Sequence, residues 1–364
     1  VATYYVSKSG NDSNDGLSEG NAKLTIAAAY SAADSESSGT PHTINIGAGT
    51  YEEDLDFAGS GDMEDGIIQG ATGDYDDVII QGDATYQVQL GNGVSLKHVT
   101  VINNKAAAGG AYYAVYSKSG ASTTYHCYLK SNNRGYYSVA AGSVLERCIV
   151  ESTYKATSHQ TWGVWWAAGN PSKMFSCLLI DWNHAQAYCY DKGDAVNCTV
   201  QTQHVKNTSL RGIYCDTIWN CVTHKDSAVG SHSGIEGGTL HKNSVVWNYA
   251  DDVSSGGGTE ANNYESADVS SNGEQFVDED NNNFRIRATS LAVDAGSYTY
   301  QSANSAPLLD LVGRPYDTST PSAGCYQYAW GASGGKKLAA TDRDVIGKIC
   351  GVSSTKIAKT MGQG

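Results

Sequence analysis

Small apolar residues recur along this chain at a spacing too long for one helix and too regular for unrelated strands. The frame is clearest in TYHCYL (124–129), LERCIV (145–150), MFSCLL (174–179), AVNCTV (195–200) and IWNCVT (218–223). It extends upstream to LKHVTV (96–101) and downstream to HKNSVV (241–246). Its fourth column reads Val99, Cys127, Cys148, Cys177, Cys198, Cys221 and Ser244, at separations of 28, 21, 29, 21, 23 and 23 residues. The sixth column, Val101, Leu129, Val150, Leu179, Val200, Thr223 and Val246, lies two residues on, so both columns share one face of a strand. A second frame runs through AVY (114–116), SVA (138–140), GVW (163–165), AYC (187–189), GIY (212–214) and GIE (234–236). Its centres are Val115, Val139, Val164, Tyr188, Ile213 and Ile235, again 22 to 25 residues apart. Two columns with one period and no helical patterning predict an all-β solenoid, a single-stranded parallel β-helix rather than a leucine-rich horseshoe.

The repeat changes the meaning of the nine cysteines. No CxxC pair is present, and five of the nine occupy one column. An interior ladder of compact, weakly polar side chains is the reading this favours, over disulfides or metal ligation.

The ends are patterned differently. YYVSKSGNDSNDGLSEGNAKLTIAAAYSAA reads as a strand, a polar loop and a short helix with Thr25 as N-cap, placed to cover the first coil within residues 1–41. Regular coils are expected over about 86–250, inside a β-helix spanning 42–328. A polar stretch follows (251–275), read as a loop or irregular outer coil. The ordered segments at 283–296 and 308–328 are expected to close the far end. Residues 329–335 are Gly-rich and read as a hinge. Residues 336–364 carry the eleven-residue repeat IGKICG and IAKTMG, two short capped helices. Helices this short need a surface for Ile346, Ile349, Val352, Ile357 and Met361, either this chain's own coils or another protein.

The opening YYVSKSGNDSNDG with the TIAAA helix, the IGAGTY turn, and the closing FRIRATSLAVDAG, DLVGRP and AGCYQY together resemble the right-handed parallel β-helix group related to pectate lyases. The resemblance spans about residues 3–328 and implies a fold, because that fold hosts lyases, hydrolases, adhesins and viral spikes. The tail resembles the short Ile-Lys-Gly segments that end many phage-encoded surface and structural proteins.

The formal charge is −14, unevenly distributed. Residues 331–364 hold six basic side chains against Asp342 and Asp344, a net of +4, which leaves −18 on the rest. An acidic body argues against generic nucleic-acid or anionic-membrane binding. No run of 18 apolar residues is present, and the first residues lack the regions of a signal peptide. The loop GNDSNDG (10–16) has a calcium-loop composition, but Ala22 stands where an EF-hand places its bidentate Glu. It is read as a turn, and no cofactor is expected.

Catalytic patterning is sparse. The paired aspartates and Gly-His-Gly of pectin hydrolases are absent. Asp181, His184, Asp191, Asp194, His204, Asp216, His224 and Asp226 form no periodic column, and Lys173 or Arg211 would be the base of a lyase. The third column of the first frame, His98, His126, Arg147, Ser176, Asn197, Asn220 and Asn243, faces out of the coil, with the asparagines set for an amide ladder.

Aromatics are more informative. Twenty-four tyrosines and seven tryptophans against four phenylalanines put a polar handle on most rings. Tyr116, Trp165 and Tyr214 fall outward in the second frame on alternate coils, between Ala140 and Cys189, with Trp162, Trp182 and His184 nearby. This face is a candidate for stacking on sugars or for burial beneath a neighbouring subunit. The expected function is therefore a virion or extracellular surface protein, of phage type. It would attach to other virion or surface proteins through 336–364, bind polysaccharide, and form a homo-oligomer, a trimer by analogy. A secreted polysaccharide lyase or glycoside hydrolase and a bacterial adhesin are the alternatives.

Overall fold

The computed structural model describes residues 1–327 apart from 37–40, 58–62, 106–110, 153–161, 168, 170, 181–184, 190–192, 203–210, 226–232, 250, 255–258, 270–274, 279–282, 298–308 and 318–320. Side chains are not described at 185–189, 202, 251, 267, 278 and 283. The hinge and the tail, with Ile346, Ile349, Val352, Ile357 and Met361, lie outside the described residues, as do Trp182 and His184.

Three parallel sheets run the length of the molecule. The first has eleven strands and the other two nine each, and every turn of chain adds one strand to each in order. This is a right-handed parallel β-helix, as the periodicity and the resemblance together predict. One coil shows the plan: Thr123–Tyr125 joins the first sheet, Tyr128–Ser131 the second and Arg134–Ser138 the third. The strands extend beyond the regular coils of 86–250 in both directions. Thr43–Ile46 already pairs with Thr3–Val6, and the polar segment after 250 supplies the last strands, Asp251–Ser254 and Thr259–Ala261.

The corner between the first and second sheets explains the cysteine column. His98, His126, Arg147, Ser176, Asn197, Asn220 and Asn243 all have φ between 50° and 56°, a left-handed residue that turns the chain in one step. The next residue then points inward. Cys127, Cys148, Cys177, Cys198 and Cys221 are fully buried free thiols. Each donates to a backbone carbonyl of the preceding coil, of Leu96, Thr124, Leu145, Met174 and Ala195 respectively, at 3.4–3.6 Å. Burial pushes the thiols of Cys127, Cys177 and Cys221 up, so these three stay protonated and can donate. Ser244 continues the column, accepting from the Cys221 amide at 3.1 Å. Cys215, outside the ladder, is disulfide-bonded.

The helix Ile26–Asp34 covers the first coil through Ile26, Ala29 and Ala33. Thr25 caps it, and Glu53, from the first coil, accepts from the Ile26 and Ala27 amides at 3.0 and 2.9 Å. The polar loop before it is self-satisfied: Asp12 accepts from the Leu24 and Thr25 amides, each at 2.9 Å.

The C-terminal segment does not simply close the far end. It turns back along the flank as a strap. Asn220 bonds Ser297 in both directions and accepts from Gly324, Thr199 accepts from Cys325, Ser176 donates to Leu309, and Arg147 reaches the carbonyls of Asp310 and Leu311. Under it lies a second apolar cluster in which Ile149, Leu178, Ile180, Val222, Val245 and Trp247 meet Phe276, Phe284, Leu311 and Tyr326. The outward asparagines are thus covered. Asn220 donates to Asn197 at 3.1 Å beneath the strap, and Asn262 donates to Asn243 at 3.2 Å at the exposed end of the amide ladder.

Candidate functional site: the aromatic face of the third sheet

The strap packs on the second sheet, and the strands of the third sheet share a five-residue plan. In Tyr86–Leu90, Arg134–Ser138 and Trp162–Trp166 the first and fourth residues are half-buried while the second, third and fifth are buried. The second residue is small or an amide: Gln87, Ala114, Gly135, Gly163, Gln186, Gly212, Gly234. At Gly234 a Cβ would stand 2.2 Å from Val246 Cγ1 and 2.8 Å from the Asp252 carbonyl, so only glycine fits there. The second residue is skipped in the strand pairing, so the two outward side chains are separated by two inward ones instead of one.

This skipped residue corrects the register expected from the sequence. Val115 pairs with Tyr136, not Val139, and Val164 with Ala187, not Tyr188. The outward column then runs Gln89, Tyr116, Tyr137 and Trp165 and resumes at Tyr214 and Glu236, with an aromatic on three consecutive coils rather than on alternate ones. A parallel column runs Tyr86, Tyr113, Arg134 and Trp162 and resumes at Arg211. Of the candidates named from sequence, Tyr116, Trp162, Trp165 and Tyr214 sit here together. Tyr86, Tyr113, Arg134 and Tyr137 were missed. An aromatic or Arg followed three residues later by an aromatic is the signal that finds Tyr113, Arg134 and Tyr137, whereas Tyr86 is followed at that spacing by Gln89 and shows only through its strand register.

The rings form a stack along the helix axis. Tyr86 lies 4.3 Å from Tyr116 and 5.4 Å from Tyr113, Tyr113 lies 4.9 Å from Tyr137, and Tyr137 lies 4.9 Å from Trp165. Their interplanar angles are 17–29°. Ring faces inside the stack are thus occupied by other rings, and the surface offers ring edges and hydroxyls. That replaces the expectation of sugars stacked face-on at alternate coils. Tyr113 is only 3% exposed. Burial pushes its phenol up to about 12, against the pull of Arg134, and pushes up Tyr116 and Tyr137 as well, so these hydroxyls stay neutral.

Arg134 is wedged into the stack. Its Cζ is 4.1 Å from the Trp162 ring, 4.9 Å from Trp165 and 5.1 Å from Tyr113, and Nη1 donates to the Tyr113 hydroxyl. Its Nε is buried without a hydrogen-bond partner, and among the described residues no carboxylate pairs with it. Arg211 differs: Nε binds Glu236 Oε2 at 2.8 Å, and the guanidinium lies over Tyr214.

Among the described residues the dispersed catalytic candidates do not converge. Lys173 and Asp194 are in register on the first sheet, a different face from Arg211. His224 is on the second sheet beneath the strap cluster, stacked 4.4 Å from Trp247, and burial pushes it down to about 3. Asp216 ends the turn into the strand Thr217–Trp219. Asp181, Asp191, His204 and Asp226 lie outside the described residues, with Trp182 and His184. Among the described residues no group of three His, Cys, Asp or Glu side chains is placed to hold a metal ion.

Neither a family model nor a curated protein matches this chain. Solved structures do. The structure of pectate lyase Pel9A superposes with a TM-score of 0.58 at 15% identity, covering 90% of this chain and 96% of that one. The likeness is one of fold. Pectin methylesterase from Aspergillus niger, in its penultimately deglycosylated form, matches with a TM-score of 0.40 at 16% identity, covering 73% of this chain and 84% of its own. Pectin methylesterase PemA from Erwinia chrysanthemi matches with 0.40 at 14%, covering 68% and 78%.

Proposed function

We propose that this protein is a surface β-helix that binds an extended, acid-bearing glycan along its third sheet, on a virion or another extracellular surface. The observation that carries the reading is Arg134, a guanidinium held by three rings with no carboxylate partner among the described residues. Around it the edges and hydroxyls of Tyr116 and Tyr137 offer neutral donors and acceptors, the chemistry that sugar hydroxyls match. A charge left in aromatic surroundings gains most from a ligand that brings the opposite charge in a planar, two-oxygen form. The structural neighbour is named for a polysaccharide, pectate, which agrees with this reading. The disulfide at Cys215 agrees with an oxidising, extracellular setting.

Cleavage is the weaker reading. A lyase needs its base and its charge-neutralising partner at one point, whereas Lys173 and Arg211 lie on different sheets and Arg211 is held by Glu236. The test is binding of an oligosaccharide panel measured by calorimetry. Acidic oligomers should bind the wild-type chain, and Arg134→Gln should lose roughly tenfold to a hundredfold in affinity, the worth of a charge-assisted hydrogen-bond pair. Equal binding by the variant, or no binding by the wild type, would refute the reading. New unsaturated or reducing ends in the same incubations would move the protein to the enzymes.

Attachment is assigned to residues 336–364, whose +4 charge and Ile-Lys-Gly repeat contrast with the acidic coils. A chain ending at residue 330 should keep its thermal unfolding and glycan binding but no longer join its particle. If it joins as before, the tail is not the anchor.

A further inference from the structure

A stack of rings has two ends, and only there is a whole ring face free. At the N-terminal end the last ring is Tyr86. Its stacking partners, Tyr113 and Tyr116, both belong to the following coil and lie nearly parallel to it, at 17° and 20°. On the other side, toward the first coil, the structure has an open cleft of about 180 Å³ lined by Tyr86, Asp54, Asp56, Ala84, Thr85 and Gln89, with Leu55 beside them. The volume is below the ~300–1,000 Å³ of pockets that enclose drug-sized ligands, and suits one small ring.

From this juxtaposition we infer that the cleft is a subsite for a single sugar ring without a carboxylate, stacked on the free face of Tyr86, with its hydroxyls donating to Asp54 and Asp56. The inference rests on the glycan reading and adds what sits at one end of it. An aromatic face takes up the C–H face of a pyranose, and carboxylates accept from hydroxyl pairs. The same two carboxylates repel a uronate. Arg134 stands two coils further on, about 10 Å at the ~4.8 Å spacing of adjacent strands. A chain entering with an uncharged ring at Tyr86 therefore brings its first acidic group to Arg134 only after an intervening residue. The subsite thus sets both the polarity and the register of the bound polymer.

Saturation-transfer NMR with the full chain tests this using methyl α-glucopyranoside and methyl α-galactopyranoside against methyl glucuronide and methyl galacturonide. At least one neutral glycoside should receive saturation, and the uronides several-fold less. The double variant Asp54→Asn with Asp56→Asn, both at exposed positions, should narrow that preference, while Tyr86→Leu should abolish the neutral signal. Equal transfer to uronides, or an unchanged preference in the double variant, overturns the subsite. If acidic oligomers bind the wild-type chain but no monosaccharide does, the subsite alone fails. If monosaccharides bind and polymers do not, the glycan reading of the sheet fails and the cleft stands as a small-sugar site.

Discussion

At the scale of single residues, the corner between the first and second sheets decides most. It demands a left-handed backbone, and over seven successive coils from His98 to Asn243 the chain meets that demand with four residue types: His, Arg, Ser and Asn. Asparagine is the best of them, because its side chain tolerates this region and then has an amide free for the neighbouring coil. Asn220 uses all of it: φ of 54°, donation to Asn197 and to Ser297, and acceptance from the Ser297 amide at 2.8 Å. Two substitutions separate the backbone share from the hydrogen-bond share. Asn220→Gly keeps the backbone and loses the bonds, at a cost of about 1–3 kcal/mol. Asn220→Ala also forces a β-carbon into the left-handed region, adding about 1 kcal/mol more. Urea denaturation of both variants reads the difference, and equal midpoints would show that the corner is not strained.

At the scale of elements, the first two strands of each coil were legible in the sequence and the third was only partly so. The Cys and aliphatic columns repeat because an inward position between tightly stacked coils admits little besides a small or branched apolar side chain, and a left-handed corner fixes which residue comes next. The third strand obeys a different rule. Skipping Gly135 or Gly234 in the pairing sends residues one and four outward together, so a period of two misplaces Val139 and Tyr188 and hides the second aromatic column. The strap was legible as ordered sequence but not as to place. NFRIRATSLAVDAG carries no mark of which flank it will cover. That becomes visible only when Ile149, Leu178, Val222 and Val245 are seen to be outward yet buried. Had they been exposed, a long apolar sheet face would invite association, and the strap removes that face at the cost of ordering some forty residues. The candidate site was half legible for the same reason. Single rings can be read from a sequence, whereas Arg134 acquires meaning only from Tyr113 on the coil before it and Trp162 on the coil after it.

At the scale of the whole molecule, the strap and corner have a consequence for pH. His126 sits at a corner next to His98, their Nδ1 atoms 3.1 Å apart, with Arg147 close by, and burial with these neighbours pushes it down to about 4. His224, beneath the strap cluster between Trp247 and Phe276, is pushed down to about 3 by burial. Both values lie below the ~6.5 of an unfolded histidine. As pH falls through 6.5 the unfolded chain takes up protons that the folded chain refuses. The stability these rings contribute is therefore fully present above about pH 6.5 and drains away toward pH 4 and 3. Each unit of difference is worth about 1.4 kcal/mol, so together they take away several kcal/mol before most carboxylates have titrated. The acidic surface opposes this only weakly above pH 5, since its carboxylates are still charged there. Urea midpoints should thus fall steadily from pH 7 to 4.5. His224→Phe, which keeps a ring between Trp247 and Phe276, should flatten the fall by about half while leaving the midpoint at pH 7.5 nearly unchanged. A wild-type midpoint constant down to pH 4.5 would mean that these two imidazoles are not held neutral by the fold. A steep fall that survives in the variant would assign it to the other buried imidazoles, His126 and His98 at the corner and His241 on the first sheet, all likewise held down by burial.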